Sequence, residues 1–148
     1  YLFIRFLILI SFFGCEEKNE CEDIYCVNPP HPLYFELINK TTGENLFANG
    51  TYKISQIEII NISDNSKAEY DLDEINNTEL IRLYSVGWQT EIVNYSIKIE
   101  NQYIFNLYVD SEIVRENCCS YTRYNEILVE DCEFEFDDIY NIYKILLE

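Results

Sequence analysis

Six cysteines, one histidine and two clusters of carboxylates are the residues of this chain best suited to chemistry, and their spacing narrows what that chemistry can be. The cysteines are Cys15, Cys21, Cys26, Cys118, Cys119 and Cys132. Cys21 and Cys26 are close enough to share a metal, but no second short-spaced pair follows. Adjacent Cys118 and Cys119 are poorly placed as two ligands of one tetrahedral site, so disulfides are expected rather than zinc. Consecutive residues of a strand point to opposite faces, which suits Cys118 and Cys119 to two different partners. Cys132 is the nearest candidate for one of them. Cys21 or Cys26 is a candidate for the other, and would staple the N-terminal segment onto the domain. Connectivity stays open at the level of sequence.

His31 is the sole histidine, so any Ser-His-Asp or Cys-His site must use it. It sits in the stiff stretch "NPPHP" and reads as a surface residue. Oxidised cysteines supply no thiolate nucleophile. Gly43, Gly50 and Gly87 are isolated, so no phosphate-cradling loop is present. Of the carboxylates, "DLDE" holds Asp71, Asp73 and Glu74, and "EDCEFEFDD" holds Glu130, Asp131, Glu133, Glu135, Asp137 and Asp138. The first lacks the glycine and ligand spacing of a calcium loop. In the second, Glu133 and Glu135 alternate with Phe134 and Phe136, as on a strand with one solvated face. Nothing singles out the two carboxylates that glycoside hydrolysis requires. The expectation is a non-enzymatic protein with no catalytic residue, metal or cofactor.

The elements that carry these residues are read from composition and periodicity. The chain has 148 residues, and 10 Lys and Arg against 27 Asp and Glu give a formal charge of -17. A nucleic-acid partner, or adsorption to an anionic lipid surface, would need the opposite balance. With 48% hydrophobic and 16% aromatic residues, the chain has the means to bury a core. Abundant Tyr, Ile and Phe favour strands.

"PLYFELIN" alternates through Leu33, Phe35 and Leu37 as a first strand. In "TYKISQIEII" the apolar phase slips by one, which suggests a bulge near Ser55. "NISDNSKAEYDLDEINNTE" reads as a polar connection with one short edge strand. "EIVNYSIKIE" sets Val93, Tyr95, Ile97 and Ile99 on one face, and "YIFNLYVD" repeats the pattern, so the two form a hairpin. "CSYTRYNEILVE" and "CEFEFD" read as two more strands. The tail "DIYNIYKILLE" fits a helical face or a strand face, and its Ile and Tyr content favours the strand. Trp88, after Gly87, reads as a packing residue. Seven to nine short strands without a helix imply an all-β, antiparallel two-layer sandwich, Ig-like or transthyretin-like.

Residues 1 to 13 form an apolar run that is too short to span a bilayer, and Arg5 is its one basic residue. They fit the apolar region of an export signal. The run ends in "FFGC", which resembles the lipobox of bacterial lipoproteins, with Phe12 and Phe13 where that pattern has Leu and a small residue. The resemblance implies cleavage between Gly14 and Cys15 and acylation of the Cys15 thiol, with the membrane as partner through the lipid. "CEEKNE" is similar to the acidic surface-export signal of Bacteroidota lipoproteins.

Together with "NPPHPLYFELINKTTGENLFANGTY" and "CCSY", the chain resembles small Bacteroidota-type surface lipoproteins of unknown function. That implies a location at the bacterial outer membrane or cell surface and a β-rich fold, but no activity and no protein or glycan partner. The expected organisation is a signal over 1–14, a lipidated acidic and Pro-rich tether over 15–32, and a sandwich over 33–148. A secreted, unlipidated, disulfide-stapled binding or inhibitor protein is the second reading, and a carboxylate-dependent envelope hydrolase is the third.

Overall fold

The computed structural model describes residues 28–148 together with Cys21, Tyr25 and Cys26, and among these residues alternating apolar positions fold into nine strands. The strands are β1 (Leu33–Asn39), β2 (Ile57–Asn61), β3 (Tyr70–Ile75), β4 (Thr78–Leu83), β5 (Glu91–Ile99), β6 (Gln102–Glu116), β7 (Cys119–Glu130), β8 (Glu133–Asp137) and β9 (Ile142–Leu147). They form a five-stranded sheet in the order β3-β4-β1-β9-β8 and a four-stranded sheet in the order β2-β5-β6-β7. The two sheets pack face to face as the expected all-β sandwich. Strand pairs are antiparallel except β1 and β9, which run parallel from Tyr34↔Ile142 to Asn39↔Leu147.

The core is the inner face of each sheet. Phe35, Leu37, Ile81, Leu83 and Ile145 from one meet Ile59, Ile97, Ile99, Phe105, Leu107 and Val109 from the other, all fully buried. At the centre the rings of Phe35 and Phe105 lie 5.5 Å apart, within the range of favourable aromatic contact. The inward face of β5 is the predicted one: Val93, Tyr95, Ile97 and Ile99 are buried, while Asn94, Ser96 and Lys98 are partly solvated.

Two-residue turns join β3 to β4, β5 to β6 and β6 to β7. Their residues Asn76–Asn77, Glu100–Asn101 and Asn117–Cys118 all have positive φ, between 48° and 72°. Paired left-handed residues match the twist of hairpin strands, and Asn tolerates that backbone better than most side chains.

Three sequence expectations change. The phase slip before Ile57 is a 3-10 turn at Ile54–Gln56 rather than a bulge near Ser55, and it re-aims the chain before β2 begins. The polar connection holds its one short edge strand, β3, but the residues at its end and just after it add a strand not expected from the sequence, β4, whose Leu80, Ile81 and Leu83 are buried. Trp88 is 62% exposed in the loop before β5 instead of packed inside. The C-terminal tail is a strand, with Tyr143, Ile145 and Leu147 packed toward the core.

Candidate functional site

The cysteines locate the first unusual feature. β6 and β7 continue past the sandwich as a two-stranded ribbon that turns at Asn117 and Cys118. Cys21 is bonded to Cys118 and Cys26 to Cys119, each with Cα atoms 5.5 Å apart. Adjacent cysteines therefore take separate partners, and both partners lie in the N-terminal lead-in. Cys118 itself lies in the left-handed turn, and Cys119 opens β7.

Cys132, a candidate partner on sequence proximity, pairs with no cysteine among the described residues. The reason is length: Cys119 opens β7, and the rest of that strand to Glu130 covers about 37 Å at ~3.4 Å per residue before Cys132 is reached. Burial, aided by the Asp131 carboxylate, pushes the Cys132 thiol up to about 11, so it is held as the unreactive thiol near neutrality. Gly14 and Cys15 lie outside the described residues.

Below the disulfides the lead-in lies against β7. Asn28 Nδ2 donates to the Ser120 carbonyl at 3.3 Å, and Tyr124 Oη donates to the His31 carbonyl at 2.8 Å. Pro30 is buried, so the folded body begins upstream of Leu33. Gly87 closes this junction. Its φ is +89°, Thr122 Oγ1 donates to its carbonyl at 2.6 Å, and its N–H donates to the Glu91 carboxylate at 2.9 Å. A Cβ on Gly87 would stand 2.7 Å from Tyr124 Oη and 3.2 Å from the Pro30 Cβ, so both the backbone and the space demand glycine. Burial, with the Glu91 charge adding, pushes the Tyr124 hydroxyl up to about 12, which keeps it a neutral donor.

A second feature opens where β7 and β8 form the free edges of their sheets. A cleft of about 500 Å³ lies there, lined by His31, Tyr34, Tyr124, Phe136, Tyr140 and Tyr143 among others. Phe136 and Phe134 pack on Tyr143, with centroids 4.8 Å and 6.0 Å away, yet both phenylalanines stay half-exposed. Burial raises the Tyr143 hydroxyl. The Tyr34 hydroxyl is raised by burial and then by the Asp73 carboxylate. Tyr34, Tyr124 and Tyr143 are therefore neutral donors or acceptors at physiological pH. Sequence reasoning missed this cleft. Alternating Phe134 and Phe136 signal an inward face, but not that the face is left partly uncovered.

The acidic groups are dispersed. Asp71 is held by Arg82 through Nε at 2.8 Å and Nη2 at 2.5 Å, Asp131 accepts from Tyr103 Oη at 2.7 Å, and Asp137 pairs with Lys144 at 3.2 Å. Glu133 and Glu135 are exposed and alternate with the phenylalanines as predicted. Among the described residues no group of three or more His, Cys, Asp or Glu is placed to hold a metal ion. The described lining of the cleft includes no carboxylate. No helix among the described residues is long and apolar enough to cross a membrane. Comparison with protein families, with curated proteins and with solved structures returned no match to this chain.

Proposed function

We propose that this chain is a lipid-anchored β-sandwich of the bacterial cell envelope, held at the outer membrane or cell surface through Cys15 and serving as a binding or structural module rather than an enzyme. The observation that carries this reading is the double staple of Cys21 to Cys118 and Cys26 to Cys119. Disulfides persist in oxidising compartments outside the cytoplasm. Here they clamp to the folded body the very segment that follows the lipobox-like "FFGC". A tether that carries load gains from being fixed covalently where it meets the domain. One acyl chain alone binds a membrane weakly, whereas a lipidated N-terminal cysteine can carry two or more. A module role is supported by carboxylates already engaged by neighbours, Asp71 and Asp73 by Arg82 and Asp137 by Lys144, and by an aromatic cleft whose described lining holds no acid group.

The anchor is tested by metabolic labelling with a palmitate analogue in native and Cys15→Ala chains, with non-reducing electrophoresis to verify both disulfides. Labelling of the native chain alone is expected. Equal labelling of the two overturns the anchor. A native chain that is unlabelled and water-soluble replaces this reading with that of a secreted, stapled binding protein.

A further inference from the structure

We infer that the ribbon end of the sandwich is its membrane-facing end, with Trp88, Ile92, Tyr121 and Ile139 resting in the neutral headgroup layer of the bilayer that holds the Cys15 lipid; this rests on the anchor proposed above.

Chain length makes the first step. The six residues from Cys15 to Cys21 span at most about 21 Å, because an extended residue covers no more than ~3.5 Å. Cys21 is bonded to Cys118 at the tip of the ribbon. β6 runs 15 residues from Gln102 to Glu116, about 50 Å at ~3.4 Å per residue. An acyl chain on Cys15 can therefore reach the ribbon and the loops beside it, and falls well short of the far turn at Glu100–Asn101.

The placement of exposed apolar side chains makes the second step. Beside the ribbon, the loop before β5 carries Trp88, the start of β5 carries Ile92 at 66% exposure, and the loop before β9 carries Ile139 at 77%. Tyr121 is exposed on the ribbon itself. At the far end, the turns at 41–43, 76–77 and 100–101 carry no large apolar residue; of the exposed rings near it, Tyr103 is held by its hydroxyl on Asp131 and Phe134 packs on Tyr143. Trp and Tyr favour the membrane–water interface because an apolar ring is joined to a polar handle. Trp88 Nε1 already donates to the Tyr84 carbonyl at 2.9 Å, so its ring can enter an apolar layer without stranding a donor.

Charge makes the third step. Although the chain carries -17, the ribbon stretch 111–124 sets Glu112 and Glu116 against Arg115 and Arg123 and is balanced. Glu91 beside Ile92 and Asp137 and Asp138 beside Ile139 add negative charge at the same end, so an anionic bilayer is disfavoured and zwitterionic headgroups are the fitting layer.

Trp88 is the sole tryptophan, so its emission reports on this end alone. The native lipidated chain, with both disulfides verified, is reconstituted into phosphatidylcholine vesicles with or without brominated acyl chains. Flotation with the vesicles reads the anchor, and quenching reads the orientation. The chain is expected to float, with Trp88 emission falling roughly two-fold in the brominated vesicles. A Trp88→Phe, Tyr103→Trp variant, which moves the reporter to the far end of β6, is expected to float equally and stay unquenched. Flotation with Trp88 unquenched, or equal quenching of both chains, overturns the orientation and leaves the anchor standing. A chain that fails to float removes the anchor and the orientation together.

Discussion

The two halves of β6 are one continuous strand held by different forces. In the lower half Phe105, Leu107 and Val109 are completely buried between the sheets. In the upper half the exposed Arg115 and Glu116 lead to a turn that two disulfides tie to the lead-in. The lower half is stabilised by removing apolar surface from water, worth about 25 cal/mol per Å². The upper half buries too little for that. A two-stranded ribbon alone is marginal in water, and the cross-links supply what burial does not. A strand can thus extend beyond its own core, provided that a covalent partner waits at its tip.

Substitutions can break this comparison, beginning with the largest effect. Phe105→Ala empties the centre of the core and is expected to cost about 3–5 kcal/mol in denaturant unfolding. Loss of the sandwich should then expose both halves of β6 to hydrogen exchange together. Removing both cross-links, by Cys21→Ser with Cys26→Ser, is expected to cost about 2–4 kcal/mol. Here exchange should rise over 112–123 while the amides of Phe105 to Val109 stay protected. Equal loss of protection in the two halves would show that the ribbon is held by burial after all.

Gly87→Ala attacks the junction between the lead-in and β7. It forces a side chain into a left-handed residue and against Tyr124, for an expected loss of about 1–3 kcal/mol. Its signature is faster exchange in the lead-in without loss of the disulfides.

Surface charge calibrates the lower limit. Arg82→Ala removes a half-exposed pair with Asp71 and should cost about 0.2–1 kcal/mol, diminishing in salt. Asp137 gives the smallest effect. Hydrogen bonding from Lys144 first, then from the Tyr140 and Ile139 amides, holds its carboxyl below the ordinary 3.8. A depressed folded pKa stabilises the fold above the unfolded value and loses that contribution as pH falls through the folded one. The Tm difference between native and Asp137→Asn chains should therefore be full above about pH 4 and shrink as the medium is acidified further. A difference that grew in acid would reverse the assignment.

Much of this was legible in the residues. The faces of β1, β5 and the lower half of β6 follow from strict alternation, because a strand that is wet on one side writes its burial into every second position. β4 was hidden because "TELIRL" is short and follows a polar stretch, so that Leu80, Ile81 and Leu83 offered no clean period. The cleft was hidden because burial of Phe136 and Tyr143 depends on how far one sheet extends past the other, a quantity with no local trace. Cys132 misled because nearness in sequence is distance in space when the intervening residues form a strand.

By itself the sequence determined the strand-rich class, the inward residues of the central hairpin, and the need of Cys118 and Cys119 for different partners. Tertiary structure alone decided that those partners are Cys21 and Cys26, that β9 returns parallel to β1, and that Trp88 faces solvent. The reason is range. Alternation and turn chemistry act over a few residues, whereas a pairing across 93 or 97 residues exists only once both sheets have closed and brought the lead-in to the ribbon.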